Sequence, residues 1–206
     1  MDKNKCIIIM GMHKGGTSLT ASIVDALGVD LGREYYIHAD GINQRGYFEN
    51  YDITKMNDYL LESIDADWMN PAEVNNPDMV NIERYKKEIW GWKDPRTTFT
   101  LESYLPHLKE YDIKLIFVKR NKESNVLSLL RTHSHHYKKS PSEKVFNELY
   151  DKYWEQNNKW INKMECLIVN FEEYFTSTAK TINNVCDFLK IRGNIDNIVD
   201  FSLKHF

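Results

Sequence analysis

The sequence has few cysteines, no long apolar run and little net charge. Its three cysteines, Cys6, Cys166 and Cys186, lie far apart and form neither a CxxC pair nor a metal-ligand spacing. The longest apolar run, residues 6–12, is too short to cross a bilayer and lacks the length and small-residue cleavage site of a secretory signal. These absences argue against a disulfide framework and a membrane span. We expect buried free thiols in a reduced, cytoplasmic domain.

A strong excess of one charge is also missing. The 206 residues include 27 Lys and Arg against 30 Asp and Glu, a formal net charge of −3. This balance argues against bulk binding to nucleic acid, which needs a broad positive field. The charges are nevertheless unevenly placed, because residues 49–88 have a net charge of −6 and residues 113–144 a net charge of +6. We expect any anion site to draw on the second stretch.

The length and the apolar content fit one hydrophobic core. A chain of this length buries roughly 70% of its unfolded surface. Hydrophobic residues make up 42% of the sequence and aromatic residues 13%, which contradicts the composition of a disordered chain. No internal repeat or low-complexity tract occurs. We therefore expect residues 1–206 to form a single domain.

Buried strands alternate with helices along the chain. Continuous apolar runs at residues 6–10, 114–118 and 167–169 predict strands covered on both faces, and residues 89–93 a weaker strand. Helical patterns occur at residues 17–27, 52–64, 123–132, 142–161 and about 177–189. This alternation predicts an α/β fold, a three-layer sandwich whose central parallel sheet is flanked by helices. Ligands of such sheets bind beyond the carboxyl ends of the strands.

A glycine-rich turn follows the first predicted strand and opens the first predicted helix. Residues 11–18 read GMHKGGTS, and the unpaired N–H groups at a helix start form a phosphate cradle. The spacing nearly matches the nucleotide-binding P-loop, GxxxxGK[ST], with Gly11 and Gly16 in place. Thr17, however, occupies the position of the lysine that NTPases use, and Lys14 is the only lysine of the loop. This departure argues against Mg²⁺-dependent ATP or GTP chemistry.

Two cations, Lys119 and Arg120, follow the strand predicted at residues 114–118. They would repel a metal ion at a position where NTPases usually present an aspartate, and they would attract a second anion. The planar guanidinium of Arg120 suits bidentate phosphate binding. Ser128, eight residues later on the next predicted helix, could add a hydroxyl group.

Together these features resemble the sulfotransferases that use 3′-phosphoadenosine 5′-phosphosulfate (PAPS). The K/R-x-G-T-[ST] core of their 5′-phosphosulfate loop is matched by KGGTS at residues 14–18. Their 3′-phosphate motif, an arginine at a strand end and a serine eight positions later, is matched by Arg120 and Ser128. GYFE at 46–49, WGWKDPR at 90–96 and VDFSL at 199–203 are similar to segments of bacterial members, so the resemblance runs over nearly the whole chain. One departure is Lys122, where many members have proline, which puts the local turn in question.

The resemblance implies in-line transfer of a sulfuryl group from PAPS to a hydroxyl or amine, with release of adenosine 3′,5′-bisphosphate and without a metal. It places Lys14 beside the bridging oxygen and the 5′-phosphate, and Arg120 and Ser128 at the 3′-phosphate. The remaining contacts to the co-substrate are expected from His13, Gly15, Gly16, Thr17 and Ser18. The acceptor would be a small molecule or a glycan, which the sequence does not identify, and the oligomeric state is open.

The acceptor also needs a general base within hydrogen-bond reach. Glu49 is the first choice, because the GYFE segment of similar proteins precedes the acceptor pocket. Asp94, His38 and His13 are the competing bases. In WGWKDPR, Lys93 is expected to contact the sulfonate or the acceptor together with Arg96, and Asp94 to orient them. The catalytic candidates are therefore Lys14, Glu49, Lys93 and Asp94.

Two other interpretations remain open from the residues alone. The spacing of Gly11 and Gly16 also fits a P-loop kinase of a small metabolite that uses Mg-ATP, and a nucleotide-sensing or scaffolding protein would keep the loop without a competent base. His133, His135 and His136 form an HxHH cluster. Their spacing matches no zinc pattern, so we expect a surface turn or part of the acceptor mouth rather than a metal site.

Overall fold

A four-stranded parallel sheet lies at the centre of the computed structural model, which describes residues 3–38, 46–136 and 141–192. The strands are β1 (Lys5–Gly11), β2 (Ile89–Lys93), β3 (Asp112–Lys119) and β4 (Cys166–Asn170), in the order β2-β1-β3-β4. The central strands β1 and β3 pair along the whole of β1. All four predicted strands are present, and the parallel sheet is confirmed.

Seven helices accompany the sheet in the described part of the chain: α1 (Thr17–Ala26), α2 (Tyr51–Glu62), α3 (Thr97–Tyr104), α4 (Lys122–His136), α5 (Glu143–Ile161), α6 (Glu173–Thr176) and α7 (Thr178–Leu189). Short 3₁₀ turns lie between them. The sequence patterns did not predict α3 or the one-turn helix α6. Nearly every residue of α3 is buried, so α3 lacks the apolar and polar faces on which a helical pattern depends.

The two faces of the sheet carry separate hydrophobic clusters. Cys6, Ile8 and Met10 of β1 pack with apolar side chains of α2, α3, α4 and α5, whereas Ile7 and Ile9 pack with those of α1 and α7. Alternate residues of a strand point to opposite faces, so β1 contributes to both clusters. This arrangement is the predicted three-layer α/β sandwich.

The turn between β3 and α4 closes without the proline found in many similar proteins. Asn121 accepts a hydrogen bond from the N–H of Ser124 on its side-chain Oδ1, at 3.0 Å, and so caps the helix. Lys122 then begins α4, and its ammonium group pairs with Asp151 of α5 at 2.6 Å. The asparagine cap therefore supplies the turn that the Lys122 departure put in question.

Strand β4 is less covered than its apolar sequence predicts. It lies at one edge of the described sheet, and 44% of Ile168 is exposed. Cys166 is likewise partly exposed, so its predicted burial is wrong, while Cys6 is buried as expected and Cys186 is buried too. All three thiols are free. Among the described residues, no helix is both long and apolar enough to cross a membrane.

The histidine cluster lies in a helix rather than in a surface turn. Helix α4 continues to His136, and the side chain of His133 is buried. Its ring stacks on Trp68 at a centroid distance of 5.2 Å and contacts Phe146 at the same distance. The surface-turn prediction is therefore wrong for His133, which fills an aromatic cluster. The described residues contain no group of three or more side chains suited to hold a metal ion.

Candidate active site

The carboxyl ends of all four strands meet at one cleft of about 240 Å³. Of the predicted co-substrate and catalytic residues, all but Gly15 and Asp94 line it, while Lys119, Arg96 and the competing base His38 also lie outside the lining. The lining side chains and backbone come from His13, Lys14, Gly16, Thr17, Ser18, Leu19, Tyr47, Glu49, Lys93, Pro95, Arg120, Ser128 and Phe171. Residues from five separate segments of the sequence thus converge at the sheet edge where α/β folds bind ligands.

The glycine-rich loop depends on close approaches that only glycine permits. Gly16 has a φ of 91°, and a Cβ atom there would overlap the ring of Phe171. Gly11 ends β1 with a φ of 146°, and a Cβ there would lie 2.5 Å from the carbonyl oxygen of Val118. Helix α1 begins at Thr17, directly after the loop. Its first residues, Thr17 and Ser18, line the cleft, and N–H groups at a helix start that lack acceptors within the helix attract anions.

Arg120 connects the end of β3 to this loop. Its Nη1 donates a hydrogen bond of 2.9 Å to the carbonyl oxygen of Lys14, which has a left-handed backbone conformation with a φ of 60°. The guanidinium lies over the ring of Phe171 at 4.8 Å. Phe171 immediately follows β4 and packs against both Gly16 and Arg120. It is a site residue that sequence reasoning missed, since an aromatic residue after an apolar strand carries no distinctive signal.

A buried ion pair forms the opposite wall of the cleft. The Nζ atom of Lys93, at the end of β2, lies 2.6 Å from Oε1 of Glu49, and the two side chains are 2% and 9% exposed. Burial raises the pKa of Glu49 above its usual range, the nearby charge of Asp94 raises it further, and Lys93 and Arg96 act in the opposite direction. Glu49 is therefore a carboxylate with increased proton affinity that still faces the cleft.

Asp94 is completely buried and does not line the cleft. Its carboxylate accepts hydrogen bonds from the Nδ2 of Asn57 at 3.0 Å, from the backbone N–H of Arg96 at 2.9 Å and from the Arg96 guanidinium at 3.1 Å. Arg96 Nη1 in turn lies 4.0 Å from Oε2 of Glu49. Asp94 thus fixes Arg96 beside Glu49.

Asn57 of α2 holds this network in place through four hydrogen bonds. It donates to Asp94 and to Thr97, and its Oδ1 accepts from Thr100 at 2.6 Å and from the hydroxyl of Tyr104 at 2.9 Å. The adjacent Asp58 places Oδ1 2.9 Å from Nε of Arg96, an ion-pair contact without hydrogen-bond geometry. Sequence reasoning missed both residues, because polar positions on a partly exposed helix look like solvent-facing ones.

The two histidines considered as bases occupy different surroundings. Burial lowers the pKa of His13 well below its usual value, and the cations Arg96, Lys93 and Lys14 lower it further. Its ring packs on Trp68 at 4.8 Å, and its Nε2 atom is enclosed without a hydrogen-bond partner. His13 is therefore a neutral imidazole near pH 7. His38 is exposed and lines a separate surface hollow, outside the cleft.

The hydroxyl groups predicted to hold phosphate have different partners. Ser18 donates a hydrogen bond of 3.1 Å to the carbonyl oxygen of Tyr47, which attaches the segment containing Glu49 to the start of α1. Thr17 is buried at the base of the cleft, and Ser128 reaches the cleft from α4. Gly15 does not line the cleft, and its N–H donates a hydrogen bond of 2.9 Å to the carbonyl oxygen of Met12.

The basic stretch at residues 113–144 contributes one cation to the cleft among its described residues, Arg120. Lys114 and Lys122 pair instead with Glu165 and Asp151, each at 2.6 Å. The other cations of the cleft, Lys14 and Lys93, come from outside that stretch. Within the described part of that stretch, Arg120 is thus the one cation placed to serve the expected anion site.

A larger cavity of about 500 Å³ lies beside the amino-terminal half of β2. Its cations Arg33, Arg84 and Lys87 are paired with Asp25, Asp52 and Asp30, respectively. It contains none of the site residues predicted from the sequence. The smaller cleft, which has the glycine loop and the buried ion pair, is therefore the candidate active site.

A glycine-rich turn between β1 and α1, with cations at neighbouring strand ends, defines an α/β protein with a P-loop-type phosphate site. The family model described as "Sulfotransferase domain" matches residues 4–205. The chain therefore belongs to the sulfotransferase domain family. A search of curated protein sequences gave no significant match.

Three solved structures illustrate the shared fold. The sulfotransferase domain from the curacin biosynthetic pathway is 12% identical, with a TM-score of 0.56 over 94% of this chain and 76% of that chain. Mouse sulfotransferase SULT7A1 complexed with PAP is 14% identical, with a TM-score of 0.56 over 100% and 66%. Retinol dehydratase in complex with androsterone and the inactive cofactor PAP is 16% identical, with a TM-score of 0.51 over 99% and 65%. The chain thus spans slightly less than two thirds of the latter two proteins, and the likeness concerns the fold.

Proposed function

We propose that this chain is a PAPS-dependent sulfotransferase that moves a sulfuryl group to a hydroxyl or amine of a small-molecule or glycan acceptor. The observation that carries the proposal is the cleft itself. It combines a P-loop without the NTPase lysine, an arginine that follows the neighbouring strand β3, and the buried ion pair of Glu49 and Lys93. The two similar proteins whose structures contain PAP support the same nucleotide class.

The residues present fit such a nucleotide. Gly16 brings the loop directly against Phe171, and the start of α1 lies at the cleft. His13 Nε2 and Arg120 Nε are enclosed polar atoms without hydrogen-bond partners, which is expected of groups whose partner is a ligand. Lys14 and the start of α1 would hold the 5′-phosphate, and Arg120 with Ser128 the 3′-phosphate.

When bound, PAPS supplies the sulfuryl group and a leaving group that gains negative charge on its phosphate oxygen. Lys14 and the N–H groups at the start of α1 are placed to stabilise that charge. The N–H groups are held by the helix before the reaction, so little reorganisation of these donors is needed. Thr17 and Ser18 complete the wall on this side, and no metal is required to balance the charge.

Glu49 is the base that the arrangement favours. It lines the cleft, whereas Asp94 is enclosed and His38 lies outside. Its raised pKa increases its capacity to take the proton of an acceptor hydroxyl, and Lys93 holds one carboxylate oxygen in place. Asp94 acts as a positioning residue through Arg96. His13, a neutral imidazole at the same cleft, is the remaining alternative base.

Free cysteines and a slightly acidic composition support the rest of the proposal. All three thiols are unpaired, as is usual in a reducing compartment, and we therefore propose a cytoplasmic location. We also propose that residues 1–206 form a single domain. We propose no nucleic-acid partner, because the cations of the cleft are few and enclosed.

Ligand-induced thermal stabilisation tests the nucleotide class. A ligand present at 100 times its Kd adds about 2.7 kcal/mol to the free energy of unfolding. We expect adenosine 3′,5′-bisphosphate to raise the Tm and Mg-ATP to leave it unchanged. A shift with Mg-ATP alone would contradict the proposal and favour the P-loop kinase.

A further inference from the structure

An unpaired amide lies beneath the glycine-rich loop. Asn125, on α4, is fully buried, and neither Nδ2 nor Oδ1 has a hydrogen-bond partner. A Cβ atom on Gly15 would lie 3.2 Å from this Nδ2, so the amide packs directly against the loop. Buried polar groups are nearly always paired. The unpaired amide leaves Asn125 able to bond a group of the loop that loses its present partner.

Arg120 bonds to the peptide that joins Lys14 to Gly15, the glycine against which this amide packs. Its Nη1 donates to the carbonyl oxygen of Lys14 at 2.9 Å, and its Nε is enclosed and unpaired. Bidentate binding of a phosphate uses two neighbouring N–H groups of the guanidinium. One edge of the guanidinium includes the enclosed Nε, and the other includes the Nη1 that donates to Lys14. A 3′-phosphate that takes the Nη1 hydrogen now bonded to Lys14 would leave the Lys14 carbonyl without this donor.

We propose that Asn125 is a positioning residue that takes over the Lys14 carbonyl when Arg120 turns to the 3′-phosphate of the nucleotide. The exchange couples the two ends of the nucleotide site, because the peptide between Lys14 and Gly15 belongs to the 5′-phosphate loop. The 3′-phosphate then sets the backbone position of Lys14 as well as adding affinity. This inference rests on the proposed function.

The substitution Asn125→Leu tests the exchange, because leucine has a similar size and no polar atoms. It removes a buried unpaired amide from the unliganded protein, so the Tm without ligand should stay the same or rise. The nucleotide-bound state, in contrast, loses one hydrogen bond. We expect the preference for adenosine 3′,5′-bisphosphate over adenosine 5′-phosphate, measured by calorimetric titration, to fall about fivefold.

Asn157→Leu is the matched control. Asn157 is equally buried on α5, but its Oδ1 accepts a hydrogen bond of 2.9 Å from Thr98 and it does not line the cleft. This variant should lower the Tm and leave the nucleotide preference unchanged. Asn125→Ala repeats the test with a smaller side chain, and the failure of both Asn125 variants to fold would overturn the inference, since the unliganded fold would then need the amide.

The outcomes separate this inference from the proposed function. If the wild-type chain bound neither nucleotide, the proposed function would be wrong and the exchange would have no basis. If the wild type preferred adenosine 3′,5′-bisphosphate and a folded Asn125 variant kept the same preference, the exchange alone would be overturned. An equal loss of affinity for both nucleotides would likewise assign Asn125 to general support of the loop.

Discussion

The two walls of the cleft are built differently. The wall proposed to hold phosphate, called the phosphate wall below, uses glycines, the start of α1 and one arginine, and most of its residues lie within a short stretch of sequence. The opposite wall uses Glu49 and Lys93, which are backed by Arg96 and a buried polar network around Asp94. The first wall can hold phosphate through its backbone. The second can change the proton affinity of a carboxylate, because its charges are buried together.

Replacement of the Glu49 carboxylate should distinguish the two walls most clearly, because it should change turnover and leave nucleotide binding intact. For Glu49→Gln we expect kcat to fall by about 10²- to 10⁴-fold, the range for removal of a general base. The phosphate wall is untouched, so calorimetry should give an unchanged Kd for adenosine 3′,5′-bisphosphate. The matched control is Glu62→Gln at the end of α2, outside the cleft, which should leave both quantities unchanged. Unchanged turnover in Glu49→Gln would move the role of base to His13.

Loss of the arginine should affect the phosphate wall alone. Arg120→Ala removes the guanidinium expected at the 3′-phosphate, and a pair of charge-assisted hydrogen bonds corresponds to about a hundredfold in Kd. Binding of adenosine 5′-phosphosulfate, which has no 3′-phosphate, should weaken far less. Equal losses for the two nucleotides, measured by competitive titration, would show that Arg120 serves the loop and not the 3′-phosphate.

The pH profile of turnover reports the electrostatics of the second wall. Burial raises the pKa of Glu49, and a base acts only when deprotonated. The rate should therefore fall about tenfold per pH unit below that pKa, with a midpoint above the usual range of a glutamate. A profile that stays flat down to the ordinary glutamate range would show that the carboxylate is not perturbed in this way.

The smallest effect is expected where the two walls are joined. Ser18→Ala removes the hydrogen bond to the Tyr47 carbonyl, and a hydrogen bond of this kind corresponds to about fivefold in an equilibrium constant. Because the bond links the loop to the Glu49 segment, kcat and nucleotide affinity should both decline slightly. An effect on nucleotide affinity alone would indicate that Ser18 contacts only the phosphate.

Local patterns in the sequence predicted most of the residues that line the phosphate wall. The spacing of Gly11, Gly16 and Arg120 follows from strand ends and helix starts, whose geometry is set over a few residues. Phe171 was missed, although it packs on two of these residues, because packing across the sheet leaves no mark in the chain near it.

The second wall depends on contacts between distant segments. Glu49 and Lys93 were predicted as separate candidates, but their pairing brings together residues 44 positions apart. The hydrogen bond from Asn57 to Asp94, which encloses a carboxylate considered as a base, spans 37 positions. Helix α3 supplies the hydroxyl partners of Asn57 and has no periodic signal. The segment at residues 199–203, which carried part of the resemblance, lies outside the described residues.

Transfer of labelled sulfate tests the account most directly. The chain would be incubated with PAPS labelled in the sulfuryl group and an extract of the source cell as the supply of acceptors. We expect label in an acceptor with the wild type, and a loss of that label with Glu49→Gln although the variant still binds adenosine 3′,5′-bisphosphate. Equal labelling by the wild type and the variant, or transfer from the γ-phosphate of ATP in place of PAPS, would contradict the account.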